Sequence, residues 1–334
     1  MPYTGEPLTK IKLRGNNLRQ AAKRILSFHK KKAASPSPSS LETNPIRVIC
    51  ISDTHNKRPE IPLGDLLIHA GDLTENGSFG EVQAELSWLS SQPHRYKILI
   101  AGNHDVLLDT AFLEKHPRRR YGQTQTREDL DFGSVIYLED STVTLTFPTD
   151  TETHQQTHDT TRKDEPRSRK LTIFGSPWTP QYGVSAFQYP PGEPPDWGSA
   201  MERTQDPKPD IMVTHGPPQF HLDTQSFRSA GCPYLAEEVA RVRPKLVVFG
   251  HIHVGYGRED VVLDRVQRAY EEVIAAWAGW EMVIWMVVLA AWARMRWFLR
   301  GGQERAEKLT AFVNAAVVGG PANELQNTPI VVEL

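Results

Sequence analysis

The chain alternates short apolar runs with polar, glycine-rich turns across its middle: Arg47–Ser52, Leu66–Ala70, Tyr96–Ala101, Leu171–Phe174, Ile211–Thr214 and Leu246–Phe249. Within each run the apolar residues are nearly continuous, without an in–out alternation. This pattern predicts strands covered on both faces, as in a largely parallel sheet. Between them, Phe79, Val82, Leu86 and Leu89, and again Leu235, Val239 and Val242, recur at helical spacing. Those segments predict helices layered on the sheet. Ser134–Tyr137 and Val143–Phe147 flank a tight polar turn and read as a hairpin, and Thr310–Val318 and Pro329–Leu334 read as closing strands around the Gly319-Gly320-Pro321 turn. The expected class is α/β, without internal repeats.

Three stretches break this texture. Residues 1–45 are strongly basic and end in a Ser/Pro-rich segment, so they read as a flexible arm and linker outside a domain spanning 46–334. Leu18, Ala22, Ile25 and Phe28 at helical spacing, with Arg19, Lys23 and Arg24 opposite, predict a basic amphipathic helix in that arm. Thr149–Lys170 is almost free of apolar residues and reads as a disordered insertion. Residues 258–308 form a long apolar helical insertion in which Val273–Ala293 carries one charge, Glu281, and five of the eight tryptophans cluster here. A helix of about 21 residues reaches roughly 30 Å, the thickness of a bilayer core. A single crossing would put its two flanks on opposite sides, which leaves a helix buried against the domain or a partner, or an interfacial helix with Arg294, Arg296 and Arg300 toward anionic lipid; the expectation is surface attachment to a membrane, or self-association, over full burial.

Composition adds exclusions. In 334 residues, 38 Lys and Arg oppose 40 Asp and Glu, for a formal net charge of −2. That balance argues against a protein that coats nucleic acid. Two cysteines, neither in a Cys-x-x-Cys pattern, do not make a disulfide framework, which points to an intracellular, cytoplasmic or membrane-peripheral setting; a mitochondrial presequence in the basic arm is the alternative.

The chemistry lies at the ends of the apolar runs. Asp53-Thr54-His55 follows the first, Gly71-Asp72 the second, Gly102-Asn103-His104-Asp105 the third, His215 the run ending at Thr214, and Gly250-His251-Ile252-His253 the run ending at Phe249. Open α/β sheets build their sites along the edge where strands end. Asp53, His55, Asp72, Asn103, His215, His251 and His253 would supply carboxylate, amide and imidazole ligands, a mixture that suits two divalent ions of the Mn, Fe or Zn kind better than Ca or Mg. Taken singly, each motif is more often a cap or a turn. Five in order are not.

These motifs, DxH, GD, GNH[DE], H and GHxH in that order, resemble the calcineurin-like metallophosphoesterase superfamily over about Arg47 to Val318. Ser176-Pro177-Trp178-Thr179-Pro180, Thr214-His215-Gly216-Pro217-Pro218, Gly255-Tyr256-Gly257 and Phe312-Val313-Asn314-Ala315 are similar to its small metallophosphoesterase-domain branch, related to the fetal-brain phosphodiesterases. The resemblance implies a four-layer αββα sandwich and hydrolysis of a phosphate mono- or diester by a metal-bridging hydroxide. It also implies one metal on Asp53, His55 and His253, the other on Asn103, His215 and His251, and Asp72 between them. His104 would stabilise the transition state or protonate the leaving oxygen, and Asp105 would orient and charge His104. The expected partner is a small phosphate ester. The competing reading is a non-catalytic scaffold or membrane-docking protein that keeps the fold; a nuclease is the weaker third. His69 is expected in the core, His94 and His221 in solvent, with approach to substrate from beside the Gly216-Pro217-Pro218 turn as the alternative for His221, and Trp178 and Tyr182 as closures of a core rather than pocket walls.

Overall fold

The computed structural model describes residues 8–33, 45–148, 168–202, 208–225, 228–299 and 309–334. In chain order the principal strands are β1 (Arg47–Ile51), β2 (Leu66–Ala70), β3 (Tyr96–Ile100), β4 (Val135–Tyr137), β5 (Ser141–Pro148), β6 (Ser168–Ser176), β7 (Ile211–Thr214), β8 (Leu246–Phe249), β9 (Gly257–Val262), β10 (Leu309–Asn314) and β11 (Ile330–Glu333). The helices are α1 (Leu8–Ala33), α2 (Phe79–Ser90), α3 (Thr110–Lys115), α4 (Trp197–Glu202), α5 (Pro233–Val242), α6 (Arg265–Ile274) and α7 (Trp280–Leu299). The chain divides into two compact units, Glu42–Asp260 with Thr310–Leu334, and Met1–Leu41 with Val261–Leu309.

The larger unit is built on two mixed sheets, ordered β11-β1-β2-β3-β4 and β9-β10-β8-β7-β6-β5. β1 to β4 run parallel in register, Val48 opposite Leu66 and Leu66 opposite Tyr96, and β11 closes the edge antiparallel. In the second sheet β6, β7, β8 and β10 are parallel and β5 is antiparallel to β6. One apolar core joins the inner faces, with Val48, Cys50, Ile68 and Ile100 meeting Ile173, Val213, Val248 and Val313. The outer face of the first sheet offers Ile49, Ile51, Leu67 and Leu99 to Val82, Leu86 and Leu89 of α2. Both faces of the strands are therefore covered, which accounts for the uninterrupted apolar runs. α2 starts where it does because Ser78 and Glu81 form a reciprocal capping box. This is the α/β fold expected from the resemblance.

Four details differ from expectation. β4 and β5 are not a hairpin: β4 joins β3 in one sheet while β5 joins β6 in the other. The turn between them, with Asp140 at φ 44°, carries the chain from sheet to sheet, and apolar spacing cannot tell that crossing from a hairpin. Of the insertion placed at Thr149–Lys170, residues 149–167 lie outside the described residues, and Ser168–Lys170 are strand, with Ser168 opposite Pro148. The helix expected over Val273–Ala293 is broken: α6 ends at Ile274, Ala276 turns at φ 62°, and α7 begins at Trp280, where the Glu281 carboxylate accepts from the Gly279 N–H at 2.6 Å.

The basic arm is the fourth difference. Its helix is α1, and Ala22 and Leu26 pack with Val266, Ala269 and Val273 of α6 and Val283, Met286 and Leu289 of α7. The arm thus contributes one helix to a packed unit. The linker read after it falls at 34–44, outside the described residues.

Replacing Ile68, fully buried between the two sheets, by Ala is expected to lower stability by about 2–5 kcal/mol. A urea unfolding series that moves the midpoint without changing the slope would confirm it.

Candidate metal centre

The ligand-bearing loops follow the strands directly and lock to one another through their backbones. The Asp53 and His55 N–H groups donate to Gly71 and Asp72 carbonyls at 2.9 and 3.1 Å, and the Gly250 N–H donates to the His215 carbonyl at 3.0 Å. Asp53, His55, Asp72 and His251 all adopt left-handed backbone, with φ of 52°, 45°, 52° and 65°. Such strain in non-glycine residues persists only where surroundings impose it, and it collects at functional sites. Glycines make the approach possible. Gly71 sits at φ 95°, and a Cβ there would meet His215 Nδ1 at 2.5 Å; a Cβ on Gly250 would lie 1.9 Å from Asp53 Oδ2.

The seven proposed ligands come together. Asp53 Oδ1 lies 3.2 Å from His253 Nε2, and its two oxygens accept from the His251 N–H at 3.0 Å. Asp72 Oδ2 reaches both sides of the site, 3.3 Å from His215 Nε2 and 3.8 Å from His55 Nε2. Asn103 Oδ1 is 3.0 Å from His215 Nε2. Three candidate ion-holding groups result among the described residues: Asp53 with His55 and His253, Asp72 with His215 and His251, and, sharing His55, a third of His55, Glu75 and His104. His215 Nδ1 donates to the Ala70 carbonyl at 2.9 Å, which leaves Nε2 as the ligating nitrogen. The donors fit cations on the structure's own terms: His55 Nε2 is buried without a hydrogen-bond partner, 3.8 Å from Asp72 Oδ2, an arrangement that burial penalises unless something else meets it.

The electrostatics point the same way. Burial raises the Asp53 carboxyl, but the His253 hydrogen bond and the charges of His215 and His253 outweigh it and hold Asp53 below the usual carboxylate range. Asp72 is held well below that range because His215 overcomes its burial. Burial disfavours the His215 cation, yet Asp72 pulls its pKa up to about 9, whereas burial and the charge of His215 push His251 down to about 4. The site is a buried anionic nest already drawing in positive charge.

Asp105 does not face His104. Its carboxylate accepts from the Leu73, Thr74 and Gly102 N–H groups at 3.1, 2.9 and 2.8 Å and from the Thr74 hydroxyl at 2.7 Å. It therefore ties the Gly71-Asp72 loop to the Gly102–Asp105 loop, and the role expected for it on His104 is corrected to bracing of backbone. His104 Nδ1 instead donates to the Glu75 carbonyl at 2.7 Å. Glu75, which the sequence reading missed, also sets its carboxylate 3.2 Å from His55 Nδ1 and accepts from Asn323 at 3.1 Å. Its spacing from Asp72 carries no ligand signature, and Asn323 arrives from a segment remote in sequence. Tyr182 is a second correction: it lines the cavity of about 400 Å³ beside His55, His104, His251 and Asn323, with its ring 5.0 Å from His251. Trp178 points its N–H at Asp140 instead, at 2.8 Å. His69 is a core histidine, fully buried against the Thr54 hydroxyl. His94 and His221, expected in solvent, are buried, His94 on the Pro62 carbonyl and His221 between Glu259 and the face of Phe312.

Fold and site define a class, α/β proteins with a cluster of candidate metal-ligating carboxylates and histidines at a sheet edge. The chain belongs to the calcineurin-like phosphoesterase family, whose model matches residues 46–255. It is 36% identical over 228 residues to metallophosphoesterase domain-containing protein 1 of Homo sapiens, covering 63% of this chain and 61% of that protein, which supports the small metallophosphoesterase branch. It is also 39% identical over 293 residues to the "Probable rhamnogalacturonate lyase C" of Emericella nidulans, covering 87% of this chain but 24% of that protein. A Caenorhabditis elegans protein named UPF0046 protein K07C11.7 is 31% identical over 234 residues, 66% of this chain and 68% of that one. The chain therefore spans between a quarter and two thirds of these relatives.

Glu75→Ala is expected to weaken divalent-cation binding by about 10–100-fold, because His55 loses the partner that fixes its ring. Isothermal titration of the chelator-treated protein with Mn²⁺ or Zn²⁺ reads this, and Glu75→Gln should lose less.

Proposed function

We propose that the chain hydrolyses a small phosphate ester, mono- or diester, at a dinuclear divalent-metal centre held by Asp53, His55, Asp72, Asn103, His215, His251 and His253. The observation that carries this reading is the convergence of those seven side chains, with Asp72 within 3.8 Å of histidines on both sides. Two ions of the Mn, Fe or Zn kind bound there supply an activated water and neutralise phosphate charge.

The chain's own residues do the rest. Among the described residues lining the cavity there is no lysine or arginine, so phosphate oxygens must be met by the ligand cluster and its histidines. His104 lines the cavity, and its Nδ1 must carry a proton because a carbonyl can only accept. Nε2 is then the nitrogen available to stabilise or protonate the leaving oxygen, a role open to a residue that is not itself a ligand. Pro180, Gln181, Tyr182 and Pro217 form a wall with one aromatic ring and little charge, suited to the ester's organic part. Asp105 holds the two loops that present Asp72 and His104 by accepting from Leu73, Thr74 and Gly102, and His104 N–H adds a direct tie to Asp72 Oδ1 at 2.8 Å. The reading places the reaction inside the cell. The competing reading is a scaffold that keeps the fold without turnover.

Asp72→Ala and His251→Ala are each expected to abolish metal-dependent turnover of a chromogenic phosphodiester while the far-ultraviolet circular dichroism stays native. Unchanged turnover in either would sink the proposal, and metal binding without turnover of any ester in a broad screen would favour the scaffold. His104→Ala should behave differently, lowering kcat by about 10²–10⁴-fold with divalent affinity retained. Parallel turnover and titration measurements separate the two kinds of residue.

A further inference from the structure

The helical unit carries a surface that the chemistry does not use. On α7, Val283, Met286 and Leu289 face α1 and α6, but Ile284, Trp285, Val287, Val288, Trp292 and Met295 are each between 46% and 65% exposed. The helix is long and apolar enough to cross a membrane, yet only 17% of its apolar stretch is buried. A helix of a soluble protein places charge on such a face; here the only acidic residue on the helix is Glu281.

Charge tells what covers it. α1 has lysines and arginines throughout and neither Asp nor Glu, and Arg19, Lys23 and Arg24 are exposed. Arg294 and Arg296 are exposed near the end of α7, with the Arg296 guanidinium 4.5 Å over the Trp292 ring. Apolar side chains beside tryptophan and arginine match the boundary between acyl chains and anionic headgroups. A second copy of the chain would bring the same cation excess against itself.

Crossing the bilayer is disfavoured by connectivity. α6 and α7 lie in the chain between β9 and β10, neighbouring strands of one sheet, and α7 is the only helix among the described residues apolar and long enough to span. A return through residues 300–308, whose sequence is polar and glycine-containing, would put unpaired backbone in hydrocarbon.

We propose that α1, α6 and α7 form a docking unit for an anionic lipid surface, with α7 lying in the membrane plane and Ile284, Trp285, Val288, Trp292 and Met295 entering the headgroup boundary. The surface is independent of the metal centre and stands whether or not the chain is a hydrolase.

The test is flotation of the full chain with phosphatidylcholine vesicles, with and without phosphatidylserine, read together with tryptophan emission. The expected result is co-flotation and a blue shift with the anionic vesicles. Trp285→Glu combined with Val288→Glu, both exposed positions, should abolish both. Arg294→Glu combined with Arg296→Glu, which leaves the apolar stripe intact, should reduce partition by about tenfold or more, since each cation near an anionic surface is worth roughly fivefold. Far-ultraviolet circular dichroism checks that the variants fold. Wild-type protein that stays with the lipid-free fractions overturns the proposal, as does equal partition of wild type and both variants. A lipid-free dimer that becomes monomeric in the Trp285/Val288 variant overturns it too, by giving the face to a second copy.

Discussion

Asp53 and Asp72 are buried at the ends of adjacent parallel strands, in left-handed backbone, and both are held in the ionised form by the histidines around them. Two carboxylates this close and this dry repel each other and are poorly solvated. They stay charged only because His215, His253 and His55 are delivered to the same place by other loops. The surrounding fold can be understood as the means of delivery: parallel strands in two sheets bring their ends to one edge, and each following loop contributes one or two of the clustered carboxylate, amide and imidazole side chains. The histidines are a partial answer to the negative charge, and the clustering leaves room for the fuller one that divalent cations would supply.

The precision of that edge also comes from residues outside the seven side chains the sequence singles out. Asp105 accepts four hydrogen bonds and holds two ligand loops in register, while Glu75 uses its carbonyl on His104 and its carboxylate on His55. Gly71 and Gly250 are small because the neighbouring loops pass where a side chain would begin. The glycines and acids in the motifs are thus largely about letting loops approach and keeping them there.

The helical unit follows a different physics. Its members pack along one stripe, Ala22 and Leu26 with α6 and α7, and leave the other side of α7 apolar and exposed. The near-zero net charge of the chain averages a basic helix with acidic regions elsewhere, so whole-chain composition says nothing about this local surface.

The sequence alone determined the parallel-strand segments, because strands covered on both faces must be continuously apolar, and it pointed to the candidate ligands, because each sits in the loop that follows such a run. It also carried α2, through its spacing. It could not decide that β4 and β5 part company into two sheets, since one turn serves either outcome, nor that α6 and α7 are separate helices, since apolar composition continues across the break. Glu75, Asn323 and the true partners of Asp105 were equally out of reach: hydrogen bonds between remote loops leave no periodicity behind. Tyr182 and the buried His94 and His221 show the same limit, because whether a ring lines a cavity, fills a core or meets water depends on which segments fold over it. Local pattern fixed what each segment could become, and tertiary packing decided which segments met.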